Sequence, residues 1–289
     1  MHTLSARTAV CGIVLHPAGH TRSPAMHNAA FRALGLDAVY LAFDVPPERL
    51  AEALAGMRGL GLRQLAVSIP HKEAVIELLD DVEETARAIG AVNTVTRVDD
   101  RLTGANTDWL GALRALEREI DPAGTRAVVL GAGGAARAVV FGLVRAGATV
   151  WVLNRTVSRA DALARSLGAA GSGSLDELAD LPHEILVNTT SVGLGADETP
   201  VDRRHLQAGS VVMDAVYHPE RTRLLEDATA AGARPLGGKW MLVHQAALQL
   251  ERWSGRAAPI DVMATAFDEA GRQSTDEAGR QSTDEAGRR

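Results

Sequence analysis

Residues 125–156 read TRAVVLGAGGAARAVVFGLVRAGATVWVLNRT, and this stretch decides the fold. Its opening, residues 125–130, is a short apolar run of the β-branched kind that forms a strand buried on both faces. The run passes directly into Gly131, Gly133 and Ala136, the spacing G-x-G-x-x-A. Small residues at helical spacing follow to Ala146, and Gly147 ends them. A second apolar run, residues 149–153, stops at Asn154, Arg155 and Thr156. Strand, glycine turn, helix and strand make half of a dinucleotide-binding unit. The tight turn lets phosphate oxygens approach backbone N–H groups at a helix N-terminus. A bare glycine motif carries little weight and can be a purely structural turn. Set between two strands within a unit of about 30 residues, it is a strong sign of a nucleotide site.

The end of the second strand says which nucleotide. An NAD site puts an acidic residue there to hold the free ribose hydroxyls. Here Asn154 is neutral and Arg155 follows, a pairing that suits the extra phosphate of NADP. The plainer reading of Arg155 is a solvated loop residue, one of 28 arginines.

Outward from this unit, strands and helices alternate. Residues 9–15 read as a strand, 23–34 as a helix with Pro24 in its first turn, and 39–44 as a strand. A helix over 48–57 and a strand over 64–69 follow. Residues 72–79 and 82–89 carry helical spacing, and 91–98 is extended. A helix over about 108–119 connects to the nucleotide unit, which continues through strands at 185–189 and 211–214. Residues 241–253 form a long amphipathic helix. The pattern predicts a two-domain α/β protein. An N-terminal mixed or mostly parallel α/β substrate domain (1–107) precedes a Rossmann-type NADP-binding domain (108–238). C-terminal helices (239–267) pack back on the first domain. Ligands in such folds sit beyond the carboxyl ends of the strands, here in the cleft between domains.

Composition narrows the function classes. The 289 residues suffice for two cores, and with 46% apolar but 3% aromatic residues those cores must be built from Ala, Leu and Val. A net charge of −6 without a basic run speaks against nucleic acid, and no apolar run of about 18 residues speaks for a membrane. A single cysteine, Cys11, allows neither a disulfide framework nor a zinc knuckle, and no His or Cys set has metal-ligand spacing. A cytoplasmic location is expected. Residues 268–289 repeat DEAGRQST twice and end on DEAGRR, without Leu, Ile, Val or Phe; a disordered tail is expected there.

Lysine usage points to the chemistry. The chain has two lysines, Lys72 and Lys239. Where positive charge alone is needed it uses arginine, so a retained lysine is a candidate for a titratable amine. Lys72 follows a strand, where a cleft residue would stand, although an exposed first-turn lysine is the plain alternative. Asp108, in Asn106-Thr107-Asp108, opens the connecting helix and is either an N-cap residue or the carboxylate partner of Lys72. Thr21, Ser23, Asn93 and Gln245 are polar residues at element ends, suited to a small polyhydroxylated acid.

These residues make the chain resemble the shikimate dehydrogenases from its start to about Gly255. The matching segments are 20–28 (HTRSPAMHN), 67–72 (VSIPHK), 90–94 (GAVNT), 106–108 (NTD), 131–135 (GAGGA), 154–156 (NRT), 188–190 (NTT) and 213–219 (MDAVYHP). The resemblance implies reversible reduction of 3-dehydroshikimate to shikimate by NADPH. It implies Lys72 and Asp108 as the catalytic pair, and Thr21, Ser23, Ser68, Asn93, Tyr217 and Gln245 as the substrate residues. The cofactor residues would be Gly131, Ala132, Gly133, Gly134, Ala135, Asn154, Arg155, Thr156, Thr189, Thr190 and Gly238.

The chain departs from the family pattern in places. Thr21 stands for serine and Ser68 for threonine, each keeping the hydroxyl. Ala66 stands for asparagine, which removes a polar brace. Lys239 and bulky Trp240 lie near the expected nicotinamide edge and would either shift substrate choice or repack the helix start. His71 and His244 are bystanders beside the site. Quinate or an aminoshikimate is the alternative substrate, and a non-catalytic NADP-responsive binder the remoter reading. The oligomeric state is left open, a homodimer among the options.

Overall fold

The structure is a computed structural model describing residues 4–19 and 21–286, with side chains as far as Gln273. Two six-stranded sheets organise it. The first contains β1 (Ala9–Leu15), β2 (Ala38–Asp44), β3 (Gln64–Val67), β4 (Asp81–Val82), β5 (Thr94–Val98) and β6 (Arg101–Ala105), in the order β2-β1-β3-β5-β6-β4. β1 runs parallel to β2 and β3, whereas β5 runs antiparallel to β3 and β6. The sheet is therefore mixed. β5 and β6 are joined by a tight turn, where Asp99 adopts φ 51°, a backbone that Asp tolerates better than most residues.

Three helices belong to this part: α1 (Ser23–Leu34), α2 (Leu50–Gly59) and α3 (Glu84–Ile89). The helical spacing over 72–79 yields only a 3-10 stretch, Ala74–Leu78. The spacing over 82–89 begins one strand too early, because Asp81 and Val82 pair with β6 before α3 starts.

The second sheet contains β7 (Arg126–Leu130), β8 (Thr149–Leu153), β9 (Gly171–Gly173), β10 (Ile185–Asn188), β11 (Val211–Asp214) and β12 (Arg234–Gly237). Its order is β12-β11-β10-β7-β8-β9, and every pairing is parallel. From β7 the chain winds outward through β8 on one side and through β10 on the other. The crevice at that switch point is where ligands bind in such sheets. α5 (Gly134–Arg145), α6 (Val157–Leu167) and α7 (Arg223–Ala230) cover the faces. The core is mostly Val, Ala and Leu, as the shortage of aromatics requires.

α4 (Asp108–Leu116) joins the two sheets and lies between α5 and α8 (Lys239–Ser254). Glycine makes this close packing feasible: a Cβ on Gly111 would stand 2.8 Å from the Met241 carbonyl oxygen. α8 and α9 (Ile260–Ala286) return to the first sheet. There Val243, Ala246, Leu250, Met263 and Phe267 share one core with Cys11, Met26, Phe31 and Tyr40. α9 does not stop where the repeat begins at residue 268. Its backbone is helical through Ala286; residues 287–289 lie outside the described residues. No described helix is long and apolar enough to cross a membrane.

Candidate active site

A cleft of about 170 Å³ opens between the two sheets, and the titratable pair stands in its wall. Lys72 lies shortly after β3, held there by its carbonyl, which accepts the Val92 N–H at 2.8 Å. Asp108 is the first residue of α4. The Lys72 Nζ donates to Asp108 Oδ2 at 2.6 Å, with the two side chains only 14% and 6% exposed. Asp108 does not cap its helix. The Asn106 side chain accepts the Asp108 N–H at 3.0 Å, which leaves the Asp108 carboxylate for other donors.

Those donors form a chain. Asn93 Nδ2 donates to Asp108 Oδ1 at 2.8 Å and lies 2.9 Å from Thr107 Oγ1 and 3.3 Å from Gln245 Oε1. Asn93 Oδ1 in turn accepts the Thr107 N–H at 2.8 Å. The carboxylate is thus clamped from both sides, and Lys72, Asp108 and Gln245 are the members of the chain that line the cleft. A fully satisfied buried network of this kind rigidifies its members.

Of the six residues proposed for substrate, Ser68, Tyr217 and Gln245 line the cleft. Thr21 hydrogen-bonds to the Tyr217 hydroxyl, which offsets part of the upward push that burial gives this phenol. Ser23 and Asn93 are each 2% exposed and stand behind the wall, Asn93 as the brace just described. The wall also contains residues that the sequence reading passes over: Ser191, Leu194, Met241 and Leu242. Nothing in periodicity marks them, because their place follows from how two domains meet.

The glycine turn has the expected form. Gly131 takes φ +111°, and a Cβ there would fall 2.7 Å from Thr189 Oγ1, so only glycine fits. Gly133 is the N-cap of α5, which has no capping side chain and no acidic residue in its first turn. No atom lies within 4 Å of a Cβ built on Gly133, so this face is open. Ala132 is buried beneath the turn, whereas Ala135, Thr189, Thr190 and Gly238 line the cleft. The two threonine hydroxyls are already engaged, Thr189 on the Leu130 carbonyl and Thr190 on the Asn188 side chain. Gly134 abuts Lys72: a Cβ there would come 2.9 Å from the Lys72 Cβ.

Asn154, Arg155 and Thr156 sit at the rim, with the Asn154 amide donating to the Thr156 carbonyl at 3.0 Å. Arg155 is exposed, as is Arg159 one turn on. Among the described residues neither pairs with a carboxylate, which leaves two guanidinium groups open to an anion. An uncapped helix start, an open glycine face and unpaired arginines at the rim fit a phosphorylated dinucleotide.

Lys239 and Trp240 do not line the cleft. Gly238, Met241, Leu242 and Gln245 do, and their spacing of three, four and seven places them on one face of α8. Trp240 points elsewhere, with the Arg118 guanidinium 3.8 Å from its ring centroid. Lys239 Nζ contacts both Asp268 carboxylate oxygens, at 2.7 and 2.8 Å. Of the two readings open for these residues, repacking of the helix start is the one their contacts fit. His71 is buried with its ring bonded to the Val45 carbonyl, and His244 packs beside Trp240. Ala66 is buried in the core that α8 shares with β1.

Comparison with known proteins agrees with this geometry. Residues 13–95 match the shikimate dehydrogenase substrate binding domain, 114–210 the shikimate/quinate 5-dehydrogenase family, and 238–266 the shikimate 5'-dehydrogenase C-terminal domain. A shikimate dehydrogenase (NADP(+)) of Methanopyrus kandleri is 49% identical over 281 residues, 91% of this chain and 96% of the relative. A crystal structure of a shikimate dehydrogenase in complex with NADP+ superposes with a TM-score of 0.88 at 39% identity, covering 93% of this chain and 97% of the other. The Thermus thermophilus shikimate 5-dehydrogenase in complex with NADP(H) and shikimate gives 0.85 at 40% identity, covering 91% and 99%. With two sheets of this topology, a lysine–aspartate pair in the cleft between them, and relatives matched over nearly their whole length, the chain belongs to the shikimate dehydrogenase family.

Proposed function

We propose that this protein is an NADP-dependent shikimate dehydrogenase that reversibly reduces 3-dehydroshikimate to shikimate. The observation that carries the reading is the Lys72–Asp108 pair, 2.6 Å apart at the meeting of substrate cleft and nucleotide turn. The turn at Gly131, Gly133 and Gly134 and the first N–H groups of α5 hold the pyrophosphate. Arg155 binds the 2'-phosphate, with Asn154 and Thr156 shaping that loop. Bound there, NADPH supplies the hydride.

The chain supplies orientation and the proton. In reduction, the Lys72 ammonium gives its proton to the oxygen of the reduced carbonyl and is left as the neutral amine, which is recharged from solvent. In oxidation, the amine takes the hydroxyl proton. Asp108 holds Lys72 toward the substrate, and Asn93 holds Asp108. Thr21, Ser23, Ser68, Tyr217 and Gln245 present hydroxyl and amide groups suited to the carboxylate and ring hydroxyls. A cytoplasmic location fits a chain whose single cysteine is free and buried.

The test is NADPH formation when purified protein meets NADP and shikimate, repeated with NAD, quinate and an aminoshikimate. Fast turnover on shikimate with NADP is expected. Lys72→Ala should lower kcat by about 100-fold or more while leaving NADP affinity nearly unchanged. Equal turnover in that variant would remove Lys72 from the reaction, and activity confined to another acid would overturn the substrate assignment.

A further inference from the structure

Arg22 takes no part in the reaction as described, yet it is 7% exposed and stands between two substrate residues in the chain, Thr21 and Ser23. Its guanidinium donates to Glu220 Oε1 at 2.5 Å and lies 4.3 Å above the centroid of the Phe267 ring. Glu220 belongs to the loop after β11 that carries Tyr217. The Phe267 ring meets the Tyr217 ring edge-on, 5.9 Å between centroids. Three parts of the chain therefore converge on one contact: the start of α1 from the first domain, the 217–220 loop from the second, and α9.

α9 closes over this contact. A Cβ on Gly271 would fall 2.7 Å from both Arg22 Nη1 and Glu220 Oε1, so the helix backbone passes directly over the ion pair. One turn earlier, Asp268 is held by Lys239 at the start of α8. Asp268 and Gly271 both lie beyond residue 266, where the match to the family's C-terminal domain ends. The first copy of the repeat is thus built into the fold, and in it lysine at a helix start, an unfavourable place for a cation, has a carboxylate to neutralise it.

We propose that Arg22 is a positioning residue. Its ion pair with Glu220, seated on Phe267, ties segment 21–23 of the first domain to segment 217–220 of the second and sets the spacing of Thr21 and Tyr217 at the substrate end of the cleft. The role rests on the assignment of Thr21 and Tyr217 to substrate. Arg22 is desolvated and depends on one carboxylate for its charge partner, so removing that carboxylate leaves a buried cation that has to move. The Glu220 side chain is half exposed, so glutamine there removes the charge without opening a cavity in the core.

The experiment compares wild type, Glu220→Gln and Gly271→Ala in the full chain, by amide hydrogen exchange and by steady-state kinetics. Faster exchange is expected in segments 21–23 and 217–220 together, with a rise of about ten-fold in the KM for shikimate for Glu220→Gln. The KM for NADP and kcat should stay within about two-fold. Gly271→Ala should give the same pattern, because its methyl pushes the pair apart without changing charge. Exchange that rises at 217–220 but not at 21–23 overturns the proposal. So does a joint rise of both KM values with a lowered Tm, which marks general loosening. If wild type turns over no shikimate while the two segments still loosen together, the clamp stands and the substrate assignment falls.

Discussion

Asp108 holds both Lys72 and Asn93 through separate carboxylate oxygens, at 2.6 and 2.8 Å. Asparagine at this position keeps the volume but replaces one acceptor by a donor, facing either an ammonium or an amide NH₂. Asp108→Asn should therefore lower kcat by about 100-fold, with little change in the KM for NADP, as steady-state rates with each substrate varied in turn will show. Lys72 was conspicuous in the sequence because it is one of two lysines. Arg22 was not, being one of 28 arginines. What distinguishes it is burial against Phe267 and Glu220, 245 and 198 residues away in the chain, and no local pattern encodes that. Asn93 stood out through its segment, but its part as a brace behind Asp108, away from the cleft wall, needed the structure.

At the scale of elements, α4 is the joint on which the cleft depends. Gly111 lets α4 lie against the backbone of α8 at Met241 and Gln245, and Gly142 on α5 does the same toward α4, where a Cβ would stand 3.1 Å from the Trp109 carbonyl. A branched side chain at Gly111 meets backbone, which cannot turn aside as a side chain can. Gly111→Val should cost about 2 kcal/mol of stability, read from the midpoint of denaturant unfolding. An unchanged midpoint would mean that the α4–α8 contact is looser than it looks. The strands of the nucleotide unit and α1 were legible because burial on both faces, proline at a helix start and glycine at its end leave local marks. β4 was not legible: a two-residue strand has no period, and its pairing with β6 is decided across the sheet. The repeat lacks an apolar face, so its contact with the fold through Asp268 and Lys239 is likewise decided far along the chain.

At the scale of the whole molecule, a buried histidine outside the cleft should make stability depend on pH. His27 on α1 is fully buried and stacked on Tyr40, 4.0 Å between centroids and 1° between planes. Its ring nitrogens make no hydrogen bond of normal geometry, although the Gln249 amide lies near enough to favour the protonated form slightly. Burial dominates and pushes its pKa down to about 3, against 6.5 for an ordinary histidine. The native state then holds His27 neutral while the unfolded chain takes up a proton below about pH 6.5, so stability falls as pH drops from 6.5 toward 3. At pH 4.5 the loss from this residue is on the order of 2–3 kcal/mol relative to pH 7. His27→Phe keeps the stack and removes the titration, so its unfolding midpoint should fall less between those two pH values. An equal fall in both proteins would assign the acid sensitivity elsewhere.

By itself the sequence determined the α/β class, the dinucleotide turn, the lysine and aspartate of the pair, and the resemblance to a family. Each is written in residues close together, where steric freedom at glycine, strand and helix periods and the scarcity of lysine act locally. The tertiary structure alone decided the 2.6 Å approach of Lys72 to Asp108, the demotion of Trp240 from the cleft wall, and the engagement of the repeat's first copy. These depend on how α4, α8 and α9 pack between two sheets, and packing is settled by the sum of contacts between segments far apart in the chain.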